Sequence, residues 1–331
     1  MAPRNVTKDQ LAGAVRAALG GGRRLVGVER LAGGTRKGVY RLTMDDATTS
    51  AIVYLWEESE NYWPTAEGDD DVADPFSPGV GLDLFEAAHA RLAALGLRVP
   101  EVYLVDRDRT HYRADLAIVE DFPGENLEQL FERDPRAAEP TMAGLAEALA
   151  AMRGYRAPAY GKVALVDGGD SSHGTSCEGA VLDFALRCLA EAASRDPRIA
   201  GARDRLDERL RELAAAVRPR TEFSVVHGEL GLGHVLVDRA GNPVLIDIED
   251  LMYFDVEWEH VHLRIRLHED YARLAVPDLD DDRLALYMLA QRLSLTAGPL
   301  RLLDGDFPDR AFMAEIAEWN LTQALALISL G

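Results

Sequence analysis

Cysteine and lysine are both scarce in this chain of 331 residues. Two cysteines, Cys177 and Cys188, are too few for a disulfide scaffold or a four-ligand zinc site. A reducing, cytoplasmic setting is the simplest expectation from that usage. Of 36 basic residues only Lys8, Lys37 and Lys162 are lysines, and arginine carries the rest. With alanine abundant, the skew reads as GC-rich coding, and it leaves few lysines for any catalytic task. Long apolar runs are missing too. Nothing approaches 18 uncharged apolar residues, so no membrane span is expected. The first 22 residues carry Arg4, Lys8, Asp9 and Arg16 among alanines and lack the apolar core of a secretory leader. Internal repeats are absent. Positive charge is outnumbered, and the net charge of -20 disfavours nucleic-acid phosphates and anionic lipid heads as partners. Such a surplus of acid serves solubility, and it would also suit a cationic ligand.

The length favours two lobes or domains over one core. Leu11 to Leu19 reads as a short helix. Strand patterns follow at Leu25 to Leu31, Val39 to Met44 and Ser50 to Trp56, joined by short turns and so antiparallel. Glu57 to Gly81 is long and acidic, with Trp63, Pro64, Pro75 and Pro78. It reads as a disordered insertion or as a lid. Leu82 to Leu95 is a helix closed by Gly96. Glu101 to Asp106 and Leu116 to Val119 are strands four and five. After Glu120-Asp121-Phe122-Pro123-Gly124 the pattern becomes helical, with Met142, Leu145, Leu149 and Met152 at helical spacing. One β-rich island interrupts it: Phe223 to Val226, Val235 to Val237 and Val244 to Ile246. Helical stretches at Glu257 to Leu267, Arg283 to Leu293 and Asp309 to Leu330 close the chain. The order is a sheet lobe, a connector and a helical lobe, and such lobes bind ligands in a cleft.

Chemistry concentrates in the island. It runs His227-Gly228-Glu229-Leu230-Gly231-Leu232-Gly233-His234, then a strand, a turn through Gly241-Asn242-Pro243, and Val244-Leu245-Ile246-Asp247. Apolar strands flank a polar loop presenting Glu229 and His234, and the next strand ends on Asp247. Two carboxylates and an imidazole suit binding of a divalent ion and proton acceptance from a hydroxyl, both of which phosphoryl transfer needs.

This stretch resembles the catalytic segment of the aminoglycoside phosphotransferase family, H-G-D-L-x-x-G-N followed by I-D-[FW]. Asp255-Val256-Glu257-Trp258 resembles the family's G-D-P-x-x-D segment, Ile118 to Glu125 its hinge, and Gly33-Gly34-Thr35 before Val39 to Leu42 its glycine turn. Some similarity extends to macrolide phosphotransferases, which also place histidine at the position of His234. The resemblance covers about Val26 to Val261. It implies an α+β, protein-kinase-like bilobal fold, with a five-stranded antiparallel sheet and one main helix in residues 1–121 and a larger, mainly helical catalytic and acceptor-binding lobe in residues 122–331. It implies transfer of a phosphoryl group from ATP or GTP, with Mg2+, to a hydroxyl of an antibiotic-like or metabolite acceptor. Carried over residue by residue, it makes Glu229 the catalytic carboxylate and His234 and Asp247 the magnesium ligands. Gly33, Gly34, Thr35, Arg36, Lys37, Glu86, Glu120 and Phe122 become the nucleotide-binding candidates, and His227 a structural hydrogen-bonder. Glu249, Asp250, Asp255, Glu257 and Glu259 form an acidic group that is either a solvated face or, functionally, a site for a cationic acceptor or a second metal ligand, with Asp255 also matching a loop-supporting position.

Three positions depart from the family. Glu229 replaces aspartate and adds a methylene, and His234 replaces asparagine. The third β-strand offers Tyr54 where the family has the basic residue that pairs with the triphosphate and with a helix glutamate. Arg36 or Lys37, in the glycine turn, is expected to contact the phosphates instead. The alternative reading is a weak or inactive nucleotide-binding homologue. A protein kinase is disfavoured, since no Ser/Thr-bearing activation-loop segment follows Asp247.

Overall fold

The computed structural model describes residues 6–32, 34–46, 49–64 and 71–328. Gly33 lies outside them. In chain order the elements are α1 (Lys8–Leu19), β1 (Leu25–Arg30), β2 (Gly38–Met44), β3 (Ser50–Trp56), α2 (Leu82–Ala94), β4 (Val102–Asp106), β5 (Asp115–Glu120), α3 (Leu127–Arg133), α4 (Pro135–Gly154) and β6 (Gly161–Lys162). Then come α5 (Val163–Asp167), α6 (Cys177–Arg195), α7 (Pro197–Ala216), β7 (Ser224–Val226), β8 (Val235–Val237), β9 (Pro243–Leu245), β10 (Met252–Phe254), α8 (Val256–Leu267), α9 (Asp281–Leu302) and α10 (Arg310–Leu327). Two compact units result, neither continuous in sequence. One comprises Met1–Trp63, Gly79–Gly144 and Leu232–Glu249, and the other Pro64–Pro78, Leu145–Gly231 and Asp250–Gly331.

The first unit is built on the expected five-stranded antiparallel sheet, in the order β1-β2-β3-β5-β4. Alternation along β2 sends Tyr40, Leu42 and Met44 to a core that also holds Leu11, Ala14 and Val15 of α1, Val53, Leu55, Leu116 and Ile118. The other face carries Tyr54 and Trp56, whose rings lie 5.6 and 5.7 Å from Phe85 of α2. The β8–β9 hairpin belongs to this unit, with Val235 opposite Leu245. It is closed by a turn in which the Asp238 carboxylate accepts the backbone N–H groups of Ala240 and Asn242 at 2.8 Å.

The second unit packs α6, α7, α9 and α10 beside a small antiparallel sheet ordered β6-β10-β7. The β-rich island is therefore not one local structure. Its first strand, β7, pairs with β10, while β8 and β9 pair with each other. Three-residue strands cannot stand alone, and partners more distant in sequence decide which sheet each joins. The acidic stretch read as insertion or lid divides similarly. Residues 65–70 lie outside the described ones, and 71–78 belong to the helical unit. There Phe76 stacks 4.3 Å from Phe184 and tilts 4.8 Å from Trp258, while Asp71 and Asp74 pair with His173 and Arg187.

Candidate active site

The hairpin sets the geometry around Asp247. Pairing of β8 with β9 carries on for one more bond, from the Ile246 N–H to the His234 carbonyl at 3.1 Å, so His234 and Asp247 emerge side by side. His234 Nε2 lies 3.6 Å from Asp247 Oδ2, and both side chains remain partly open to solvent. Asp247 adopts the left-handed backbone region at φ 58, which aspartate and asparagine tolerate better than most residues. Among the described residues no group of three or more His, Cys, Asp or Glu side chains could hold a metal ion. A pair made of one carboxylate and one imidazole nevertheless fits magnesium arriving with a nucleotide, because that ion usually takes one or two carboxylates and fills its other positions with phosphate oxygens and water.

Lys37 completes this cluster, and its position was hidden in the sequence. It precedes β2 in a turn so tight that a Cβ on Gly34 would sit 2.5 Å from the Lys37 carbonyl oxygen. That turn aims the side chain to the face of the sheet carrying Tyr54. The ammonium lies 4.9 Å from the Tyr54 ring centroid and 2.9 Å from Asp247 Oδ1, and it also donates to Glu249. Burial opposes the Lys37 charge, but the carboxylates of Asp247 and Glu249 outweigh it and hold its pKa above that of an ordinary lysine. Glu249 is itself buried, which raises its pKa against the pull of Lys37. Arg36 takes another direction, with its guanidinium 4.4 Å over the Trp63 ring. The Thr35 carbonyl accepts the Tyr62 N–H.

The remaining nucleotide candidates occupy the same unit. Glu86, expected on the helix after β3 to pair with a phosphate-binding cation, instead meets Arg107, which also holds Asp83. Without a basic side chain in β3, the cation on that face of the sheet is Lys37, which Asp247 and Glu249 hold. Glu120 ends β5 and pairs with Arg98. Phe122 is buried under the same guanidinium, 5.3 Å away. Between them Asp121 forms a two-pronged pair with Arg41, at 2.8 and 3.1 Å.

In the helical unit Glu229 is exposed on a loop that Glu259 of α8 grips from below. The buried Glu259 carboxylate accepts the backbone N–H groups of His227 and Gly228. Gly228 has φ 95, and a Cβ there would stand 3.0 Å from the Asp250 carbonyl, so glycine is required. Sequence reasoning counted Glu259 only within the acidic group after Asp247, although it falls where the family segment closes on an acid.

The acidic residues after Asp247 were expected to form a solvated face, an acceptor site or a second metal ligand, and four of the five, Glu259 among them, are instead buried in contacts with the protein. Glu249 is engaged with Lys37. Asp255 lies buried, accepting from Arg283 Nε at 2.7 Å and the Tyr287 hydroxyl at 2.5 Å. Glu257 is buried too, held by Arg220 at 2.6 Å. Carboxylates neutralised inside the protein cannot also neutralise a ligand. Asp250 alone of the five is one-third exposed, with Oδ1 fixed 3.0 Å from the buried Lys162 ammonium.

Burial raises the Glu259 pKa to about 7, against the lowering effect of the N–H groups it accepts. A carboxyl group with a folded pKa above its unfolded value adds stability that is complete below the unfolded value near 4.5 and is lost as pH rises through about 7. Glu259→Gln keeps an acceptor oxygen and cannot ionise. The melting temperature of the wild type should therefore fall relative to this variant between pH 5 and pH 8, by a free energy of up to about 3 kcal/mol. Parallel melting profiles for the two proteins would contradict this.

With this geometry in hand, comparison places the chain. Residues 28–288 match the phosphotransferase enzyme family. That is well over half of the sequence, and the chain belongs to this family. It is thus a small-molecule phosphotransferase, of the class that phosphorylates hydroxyl groups. Solved structures agree on the fold. A thermostable mutant of aminoglycoside phosphotransferase APH(4)-Ia matches with a TM-score of 0.67 at 16% identity, over 98% of this chain and 99% of that one. A ternary complex of the same enzyme with ADP and hygromycin B gives 0.59 at 16%, over 93% and 95%. Choline kinase LicA from Streptococcus pneumoniae gives 0.62 at 14%, over 98% and 99%. No curated protein matches. Among the described residues no helix is long and apolar enough to cross a membrane.

Proposed function

We propose that this chain transfers the terminal phosphoryl group of ATP or GTP to a hydroxyl of a small antibiotic-like or metabolite acceptor in the cytoplasm. The observation that carries the proposal is the placing of the His234 imidazole 3.6 Å from the Asp247 carboxylate at the end of the hairpin, in a chain of this family. Magnesium bound there with the nucleotide would neutralise phosphate charge and align the terminal group, with Asp247 and His234 as the protein's donors. Glu229, exposed and three residues from the start of the turn that bears His234, orients the acceptor hydroxyl and takes its proton late in transfer. Glu259 holds the backbone beneath it. Gly34 and Thr35 bring main chain close to the phosphates, and the backbone of Glu120 to Phe122 receives the purine. Asp250, pre-oriented by Lys162, is the carboxylate left to meet a cationic acceptor. The acceptors named for the structural neighbours, hygromycin B and choline, support a search among hydroxylated amines.

The test is magnesium-dependent turnover of ATP and GTP against a panel of hydroxylated aminoglycosides, macrolides, nucleosides and amino alcohols. Glu229→Gln should lower kcat by about 10²- to 10⁴-fold while leaving nucleotide affinity near that of the wild type. The substitution of glutamate for aspartate at this position favours one other reading, a nucleotide-binding homologue with little turnover. Tight nucleotide binding without transfer to any member of the panel would select it.

A further inference from the structure

We infer that the phosphate-contacting cation of this chain is Lys37, delivered by the turn before β2, and that Glu249 is the residue that positions it. The inference rests on the phosphotransferase reading and deepens it. Three observations carry it. The first is direction. In the antiparallel register Val39 stands opposite Tyr54, and the turn before β2 carries the Lys37 side chain to that same face of the sheet. Its ammonium lies 4.9 Å from the Tyr54 ring, so a basic residue in β3 at position 54 and the lysine at 37 would serve the same place.

The second is the division of labour between its two carboxylates. Glu249 is 4% exposed and balances the ammonium from the protein side, whereas Asp247 is 46% exposed and faces solvent. A lysine needed only to neutralise Glu249 has no reason to reach a solvated carboxylate as well. An ammonium has three N–H donors, and among the described residues Asp247 and Glu249 account for two. The third can turn to an oxygen of a phosphate held beside Asp247. The third observation is chemical type. In a chain that uses arginine for nearly every positive charge, a lysine stands here. A compact ammonium fits between two carboxylates and an aromatic ring where a planar guanidinium would not. The anchor also differs from the expected one. Glu86 of α2 is occupied by Arg107, and the lysine is fixed by the segment that bears Asp247 itself.

The experiment measures calorimetric binding of a non-hydrolysable ATP analogue with magnesium, alongside turnover and thermal melting. Wild type should bind. Lys37→Ala should weaken binding about 10- to 100-fold, the worth of one charge-assisted hydrogen bond. Adding Tyr54→Lys to that variant should regain at least tenfold of the loss, because the second lysine rises from the strand to the same place. Lys8→Ala, on the exposed face of α1, should change nothing. Since Lys37→Ala strands the Glu249 charge, the double variant Lys37→Ala/Glu249→Gln serves as a second, charge-balanced form. It should melt near the wild type and bind no more weakly than Lys37→Ala alone. Unchanged binding in the double variant, or a folded Lys37→Ala that Tyr54→Lys does not improve, overturns this inference and leaves the phosphotransferase reading standing. A wild-type protein that neither binds the analogue nor turns over nucleotide overturns both.

Discussion

Asp247→Asn should abolish magnesium-dependent transfer, lowering kcat by about 10³-fold or more, while the protein folds and melts much as before. The backbone at this position favours asparagine over alanine. Asp247 sits at φ 58, in the left-handed region, and asparagine is the residue that replaces aspartate there with least strain. The side chain is nearly half exposed, so its amide need not be buried without partners. Lys37 keeps its deeper bond to Glu249, so the buried charge pair survives. What disappears is the carboxylate charge that would hold a divalent ion against a triphosphate. Transfer assays over a range of magnesium concentrations check this. The loss should persist at saturating nucleotide and be eased only partly by excess metal. A variant with near-normal kcat would mean that Asp247 is not the metal carboxylate, and the proposed function would lose its central residue.

How far the sequence could anticipate this site depends on whether position along the chain or direction of a side chain was at stake. Strand alternation and turn spacing determine the sheet and the hairpin. That pattern places His234 next to Asp247, because two short strands joined by an Asn-Pro turn have few registers open to them. Lys37 is a different case. A residue in a glycine turn points wherever the turn sends it, and this turn is so tight that a Cβ at position 34 would stand 2.5 Å from the Lys37 carbonyl oxygen. No periodicity encodes that. The acidic residues after Asp247 misled for a related reason. Carboxylates in a row read as a solvated face, yet Asp255 and Glu257 are buried because Arg220 and Arg283, dozens of residues away, come to meet them. Burial of charge is a tertiary property, decided by partners that local sequence does not show. Glu259 was legible in principle, as the acid ending the family segment, but its task of gripping backbone N–H groups is one that composition cannot reveal.

Those buried partners imply a large effect on stability. Arg283→Ala should cost about 3–5 kcal/mol, since it leaves the Asp255 carboxylate enclosed without the guanidinium that neutralises it. Arg283 and Asp255 side chains are 1% and 0% exposed, and Nε to Oδ2 is 2.7 Å. The same guanidinium donates to the Arg218 carbonyl and reaches Asp280 at 3.3 Å, so its removal takes a donor from three acceptors at once. Arg220 cannot take over, because it is committed to Glu257 and stands 3.6 Å from Asp255. Tyr287 supplies one hydroxyl and no charge. For a unit of this size the loss corresponds to a melting temperature lower by roughly 10 °C. The second substitution Asp255→Asn, made in the Arg283→Ala background, should recover part of it by removing the stranded charge, and the double-mutant cycle would isolate the coupling. Binding of nucleotide well below the melting point should change much less than stability. Asp255 is buried against Arg283 and Tyr287 in the helical unit, whereas nucleotide chemistry is assigned to Lys37, His234 and Asp247. A variant that melts like the wild type would show that the buried pair is dispensable, and with it the claim that this acidic segment is structural rather than a surface awaiting a cationic ligand.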